Sequence, residues 1–264
     1  MNIIKMFYLL MQICGVGEII YYITDYIGFV KKRTHIYLLR DGTHVIVRNN
    51  TTDRGEMVQV MSGNEYGDVI KHIKEYYKHL DGVIDAGGNI GLFTLWLNKE
   101  NLKFNKTIII EPDPDNFSQL KRNIKLNKIK DCILYEKALF STDKGVLFNS
   151  DLNPDSRRID NKSGKFVGSI TLKKIFKINN IKKLGVLKLD IEGGEWFLMN
   201  EENKKIFEKI GIIVMEYHMR YNNKNFSRIE EYFNNFYFEK VAKKDEEKGL
   251  VILINKCLKN WNKR

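Results

Sequence analysis

Four apolar runs in this chain end in acids, and one of them runs straight into a cluster of glycines. In 83-VIDAGGNIGLFT-94 the run ends at Asp85, and Gly87, Gly88 and Gly91 follow around Asn89. In 186-VLKLDIEGGEW-196 a second run ends at Asp190, Ile191 and Glu192. TIII meets Glu111, Pro112 and Asp113, and IIVM meets Glu216, Tyr217 and His218. Glycines let backbone approach a ligand closely. Acids at four run ends do not suit a pyrophosphate, which needs N–H groups and positive charge. They suit a ligand with hydroxyls, an ammonium or a sulfonium. Removing a proton from an acceptor hydroxyl needs a base. His218 leads by its intrinsic pKa, with Asp190 and Glu192 as rivals.

The spacing narrows the ligand. A dinucleotide loop reads G-x-G-x-x-G, whereas here Gly87-Gly88-Asn89-Ile90-Gly91 is followed by Leu92. No G-K-[ST] follows, so a phosphate-cradling P-loop is excluded as well. Glu111 stands 20 residues after Gly91. At the end of the next strand it can accept both hydroxyls of a ribose. That combination describes an adenosine held by its sugar and not by a phosphate, and it points to S-adenosylmethionine. Asp190, Glu192, Glu216 and His218 together also offer oxygen and imidazole donors to a divalent metal. That metal is an alternative and is not adopted as a sequence-level assignment.

Elements must bring these run ends together. The runs 36-IYLLRDGTHVIVR-48 flank Asp41-Gly42 and read as a hairpin. The 65–80 segment is apolar at helical spacing. From there strands and helices alternate: GVIDAG, a helix from GLFTLWLNK, TIIIEP, a helix over PDNFSQLKRNIKLNKI, and CILYEKAL as one strand. VLKLDIEG, a single helix over EWFLMNEENKKIFEKI, GIIVMEYH and a helix over NFSRIEEYFNN follow. FYFEKVAKK and GLVILINK close the chain as an antiparallel pair around a polar KDEEKG loop. Alternation predicts an α/β fold, a doubly wound and mostly parallel sheet with an antiparallel C-terminal strand. Ligands bind such sheets past the carboxyl ends of the strands. Nearly fifty residues separate CILYEKAL from VLKLD, too many for one crossover helix. This insert, with GVLFNSD and KFVGSITL as further strands, is placed to recognise a substrate. Its Arg157-Arg158 pair reads as solvated surface, with contact to an anionic acceptor as the alternative.

Bulk properties set outer limits. The chain has 264 residues, 43% of them hydrophobic and 29% charged, which suits a folded domain with an extension. The division expected is an N-terminal extension of helices and hairpin over 1–80 and a catalytic domain over 81–264. Net charge is +11, from 44 Lys and Arg against 33 Asp and Glu. The lysines are spread, densest in the terminal KCLKNWNKR, so no arm dedicated to nucleic acid stands out. Cys14, Cys132 and Cys257 lie far apart without a CxxC, which argues against a disulfide scaffold or a cysteine zinc site and fits a reducing, cytoplasmic setting. Residues 1–30 read as one or two apolar helices packed on the domain or on a second subunit, hence a homo-oligomer. Weak association with a membrane surface is the alternative. Trp196 and the aromatic run YFNNFYF read as core.

The motifs taken together resemble the FkbM-type S-adenosylmethionine-dependent methyltransferase family. The resemblance is carried by 83-VIDAGGNIGLFT-94, 110-IEPDPDNFSQLKRNIKLN-127, 138-ALFSTDKG-145, 169-SITL-172 and 186-VLKLDIEGGEW-196, over roughly residues 36–255. It implies a Rossmann-like fold. It implies that Asp85, Gly87, Gly88, Asn89 and Gly91 hold the methionine part of the cofactor and Glu111 its ribose. Pro112 and Asp113 would border the adenine, Ala138 at the end of the third strand would meet its edge, and Asp190 would lie near the transferred methyl. The acceptor implied is a hydroxyl on a sugar, glycan or other small molecule. Glu195 is expected only to favour the dipole of the helix it opens. Competing readings are an RNA methyltransferase, supported by charge alone, and a catalytically inactive Rossmann-like binding protein.

Overall fold

The computed structural model describes residues 3–29, 33–76, 80–149, 158–159, 164–219, 225–242 and 248–258. Two compact units emerge. The first comprises Met1–Ile70, Gly88–Lys103 and Asp115–Lys130, and the second Lys71–Gly87, Phe104–Pro114 and Asp131–Arg264.

The first unit opens with helices α1 (Ile3–Ile13) and α2 (Val16–Tyr26), then the hairpin of β1 (Thr34–Leu38) and β2 (His44–Arg48). Ile36 pairs with Ile46, and Gly42 takes a left-handed φ of 87° in the connection, as the Asp41-Gly42 dipeptide predicts. Helix α3 (Asp53–Met61) follows, and α4 (Gly67–Tyr76) crosses into the second unit. The hairpin is tied down by Arg48. Its guanidinium donates to both carboxylate oxygens of buried Asp53 at 2.8 Å and to Asn116 Oδ1 at 2.7 Å. A planar fork matched to a carboxylate gives geometry as well as energy.

Strand β3 (Gly82–Ala86), helix α5 (Leu92–Lys99), β4 (Lys106–Ile110), α6 (Pro114–Leu126) and β5 (Cys132–Tyr135) continue the alternation. The insert holds β6 (Ala138–Leu139), β7 (Val146–Asn149), β8 (Arg158–Ile159), β9 (Lys165–Val167), β10 (Ser169–Ile170) and α7 (Leu172–Ile178). Then come β11 (Leu184–Leu189), α8 (Glu195–Leu198), α9 (Glu201–Phe207), β12 (Ile210–His218), α10 (Phe226–Tyr232), β13 (Phe236–Ala242) and β14 (Lys248–Asn255).

The second unit is built on a seven-stranded sheet in the order β13-β14-β12-β11-β3-β4-β5. Strands β12, β11, β3, β4 and β5 are parallel neighbours, and β14 runs antiparallel to both β12 and β13. The chain is therefore mixed α/β with a Rossmann-like, mostly parallel central sheet. β3 and β11 are buried along their whole length, as strands covered on both faces must be. Their core includes Ile84, Ile108, Leu187, Ile213 and Leu253, each contributing about 1.5–3 kcal/mol by burial.

Three expectations are corrected. CILYEKAL is two strands: β5 stays in the large sheet, while β6 leaves it to pair with β10. Ala138 therefore opens β6 and does not end the third strand of the sheet. The segment from Glu195 is two helices, because Asn200 caps α9 by accepting from the N–H of Asn203 at 2.9 Å. A capping side chain there offers the backbone an alternative to an uninterrupted helix. Arg157, the centre of the polar loop and most of the terminal basic piece lie outside the described residues, as does the side chain of Arg158.

Within the first unit, α6 is locked to the hairpin by fully buried Asn123. Its Oδ1 accepts from the N–H of Ile46 at 2.7 Å, and its Nδ2 donates to the carbonyls of Ile46 and Ile90 at 3.2 and 2.9 Å. Asn123→Ala leaves buried backbone groups without these partners. It is expected to lower stability by about 2–4 kcal/mol, read as a lower urea midpoint with unchanged slope.

Candidate functional site

Register alone builds a row of functional residues in the second unit. Ala86 pairs with Ile110 and with Leu189, and Leu189 pairs with Met215. The next residue on each strand path is Gly87, Glu111, Asp190 and Glu216. Backbone bonds hold the row in place: Gly87 N–H donates to Ile110 at 3.0 Å, Asp190 N–H to Ala86 at 3.1 Å and Glu111 N–H to Tyr135 at 3.1 Å. Gly87 has φ 73°, and a Cβ there would lie 1.7 Å from the carbonyl oxygen of Asp190. No other residue type fits. Glu111 is buried, and its Oε1 accepts from the N–H of Asp113 at 2.9 Å, which fixes the direction of the carboxylate. Pro112 lies between them and Asp113 is itself buried.

A buried lysine supports this row from beneath. Lys188 Nζ donates to the carbonyl of Gly87 at 2.7 Å and lies 3.6 Å from Asp85 Oδ1 and 3.4 Å from Asp190 Oδ2. Asp85 is fully buried within β3. Its role in the structure is to share the Lys188 charge at the base of the row. The K-x-D-I-E-G motif contains this lysine, but only the pairing of Lys188 with Asp85 across β11 and β3 reveals its partner.

Beyond Asp190 the chain turns through Glu192 (φ 53°) and Gly193 (φ 94°) into α8. The turn places Glu192 and Glu195 around His218, the last residue of β12, which itself contributes Glu216. His218 Nε2 lies 3.3 Å from Glu192 and 3.8 Å from Glu216, and its Nδ1 lies 3.4 Å from Glu195. The ring is 2% exposed. Burial alone would lower the His218 pKa. The contact and charge of Glu195, with the charges of Glu192 and Asp190, outweigh it and raise the value to about 9. Burial, reinforced by Asp190, pushes Glu192 up to about 8. The same two causes raise Glu216, against the opposing charge of Lys248, whose Nζ is 3.0 Å away. Glu195 does more than favour a helix dipole: it is buried, faces His218 and accepts from the N–H of Ile191 at 3.0 Å. Trp196 is core, as expected, and donates its indole N–H to the His218 carbonyl at 2.6 Å. Asp190, Glu192 and His218 each offer one ligand atom, all within 4.8 Å of one another, so the donor set fits a divalent cation.

The remaining loop residues belong to the first unit. Asn89 has φ 48° and Gly91 φ 91°, and Gly91 N–H donates to the Gly88 carbonyl at 2.7 Å. The Asn89 amide donates to the carboxylate of Glu56 on α3. Glu56 lies outside the motifs that carry the resemblance and had no assigned role in the sequence. Ala138 sits buried at the start of β6, paired with Ser169.

Comparison with known proteins places most of these segments within one family model. The methyltransferase FkbM domain model matches residues 85–242. "Methyltransferase 1" of Beauveria bassiana (strain ARSEF 2860) is 25% identical over 160 residues, which are 51% of this chain and 63% of that protein. The chain thus spans 63% of the length of that curated relative. Among solved structures, methyltransferase FkbM from Methylobacillus flagellatus KT aligns with a TM-score of 0.47 at 12% identity, over 67% of this chain and 44% of that one. The Pyrococcus abyssi tRNA (uracil-54, C5)-methyltransferase, solved with S-adenosyl-L-homocysteine, aligns with a TM-score of 0.44 at 12% identity, over 84% and 45%.

Two outcomes follow from the charges. Lys188→Met strands buried Asp85 beside Asp190 and is expected to cost about 3–5 kcal/mol in urea unfolding, with Asp85→Asn in the same chain recovering most of the loss. His218 and Glu192 both bind protons more tightly folded than unfolded. Their contributions fall as pH rises, for Glu192 from its ordinary 4.5 to about 8 and for His218 from 6.5 to about 9. The thermal midpoint of the wild type is expected to drop between pH 6.5 and 9 more steeply than that of His218→Gln. Parallel curves would contradict the assigned field.

Proposed function

The chain belongs to the FkbM methyltransferase domain family, and from that premise we propose that it moves a methyl group from S-adenosylmethionine to a hydroxyl of a sugar, glycan or other small acceptor. The observation that carries this reading is the row of Gly87, Glu111, Asp190 and Glu216 at the carboxyl ends of four adjacent parallel strands. A sulfonium bound there supplies an alkyl group already activated for transfer. The residues of this chain have three tasks: binding, alignment and proton removal.

For binding, the anchored carboxylate of Glu111 accepts from ribose hydroxyls, and Asp190 faces the positive end of the cofactor. Gly87 lets the ligand lie against backbone, over the base that Asp85 and Lys188 form. Pro112, Asp113 and Ala138 are assigned to the adenine side. The roles of Gly88, Asn89 and Gly91 rest on the motif alone. For alignment, strand ends fixed by backbone hydrogen bonds hold donor and acceptor in line better than free loops do. For proton removal, His218 is the base, with Glu192 and Asp190 as its nearest rivals. In the free protein the surrounding acids keep the imidazole protonated. A positive charge held beside Asp190 offsets part of that field, so His218 gives up its proton more readily once the cleft is filled. The acceptor's proton then passes to Nε2 as its oxygen takes the methyl carbon.

A second reading has its own observation, the convergence of Asp190, Glu192 and His218. A divalent ion there would polarise the acceptor oxygen and lower the pKa of its hydroxyl. It would take His218 as a ligand and leave no role for it as base.

Calorimetric titration with S-adenosylmethionine and S-adenosylhomocysteine tests the proposal. Micromolar binding is expected, weakened about 10- to 100-fold in Glu111→Ala by loss of charged hydrogen bonds to the ribose. Wild-type protein that stays folded and binds neither ligand would sink it. Repeating methyl transfer after chelation separates the two readings, since the base mechanism survives chelation and the metal mechanism does not.

A further inference from the structure

The first unit carries an apolar surface that its own core does not use. Leu9, Leu10 and Ile13 of α1 are buried, while Ile4, Tyr8 and Met11, spaced four and three apart, stay exposed. In α2, Tyr22 and Asp25 are buried, while Val16 and Ile20 stay exposed. Ile4, Val16 and Phe29 are 74%, 71% and 79% exposed. Ten of the fifteen large apolar side chains exposed among the described residues lie between Ile4 and Leu38. Scattered exposed apolar residues need no explanation, but such a concentration does.

The charges of the same segment select what covers it. The two acids of residues 1–40 are both engaged. Glu18 is half-buried, 2.7 Å from His35 Nε2 and accepting from the N–H of Leu38 at 3.3 Å. Asp25 is buried against Arg54. The cations are Lys5, Lys31, Lys32, Arg33 and Arg40, of which Lys5, Arg33 and Arg40 are exposed, Arg40 donating to the Met11 carbonyl at 3.2 Å. What reaches solvent is therefore apolar with a positive rim. Tyr8, Tyr26 and Phe29 add exposed rings of the kind that sit at the headgroup level of a bilayer. A second copy of the chain packed face to face would set these cations against themselves, because a twofold interface uses the same patch on both partners. No helix among the described residues is long and apolar enough to cross a membrane, so the helices would lie on it.

We propose that the exposed face of α1 and α2 is an interface for an anionic lipid surface. It rests on neither the cofactor nor the acceptor. Flotation of the full chain with vesicles of phosphatidylcholine and phosphatidylglycerol in equal parts, against phosphatidylcholine alone, tests it. Binding to the anionic vesicles is expected, falling with added salt. The double substitution Ile4→Ser with Val16→Ser is expected to weaken it about tenfold or more, and Lys5→Glu severalfold. Both alter exposed side chains, and circular dichroism melting verifies that the fold is kept. Absence of wild-type binding at low salt, or equal binding to neutral vesicles, would overturn the proposal. So would a dimer in sedimentation that the double substitution dissociates while vesicle binding is unchanged.

Discussion

One buried ammonium sets the base of the candidate site. Lys188 Nζ meets the Gly87 carbonyl, Asp85 and Asp190 within 3.6 Å. A carboxylate as deeply buried as Asp85 would cost several kcal/mol without a partner. Lys188 sits on the adjacent strand, and the register that aligns Lys188 with Asp85 also sets Gly87 beside Asp190; the neighbouring registers of β4 and β12 add Glu111 and Glu216. The pairing that makes Asp85 tolerable is thus the pairing at the centre of the row. Gly87 completes the dependence, since any side chain there would strike the Asp190 carbonyl and force β3 and β11 apart.

Above that base the sign of the field changes. Asp190, Glu192, Glu195 and Glu216 gather around one imidazole, with Lys248 3.0 Å from Glu216 and within the field of Glu192 and Asp190. Like charges so close push protons onto whichever group accepts them most cheaply. Here burial, with Asp190, raises Glu192, and Glu195, Glu192 and Asp190 raise His218 against its own burial. Such a site attracts a cation, and it stores protons that a cation can displace. The proposed ligand choice and the proposed base strength of His218 therefore answer to the same four carboxylates, so removing any of them would alter both.

Much of this was legible in the sequence because it is local. The Asp41-Gly42 hairpin, the alternation of strands and helices and the acids at strand ends follow from turn chemistry and periodicity within a few residues. What was not legible depends on distant partners. Lys188 received no role from the sequence, because Asp85 meets it only once β3 lies beside β11. Glu195 reads as a helix-opening acid until β12 brings His218 within 3.4 Å. Glu56 acquires meaning only through Asn89. The division of CILYEKAL into β5 and β6 is decided by β10, thirty residues on, which offers Ala138 and Leu139 a partner outside the large sheet.

That division has a consequence for how one fold can serve different acceptors. Ala138, Phe140 and Val146, with Val167 against them, form a small core of their own, apart from the cluster under the large sheet. The three strands β8-β7-β9 extend from it, and the Phe166 ring lies over Gly145, where a Cβ would come within 2.2 Å. Leu139, Ile170, Leu172, Ile175 and Phe176 of the same insert belong to the large core, so only the part around Phe140 and Val146 packs separately. Ala138 apart, the proposed cofactor residues at the strand ends, Gly87, Glu111 and Asp190, are set by backbone bonds, where a one-residue shift would reverse which face each side chain meets. A small cluster of this kind, carried by an insert that is otherwise anchored in the large core beside strand ends held by backbone bonds, is the part of the chain that could vary with the proposed acceptor while the strand ends keep the chemistry.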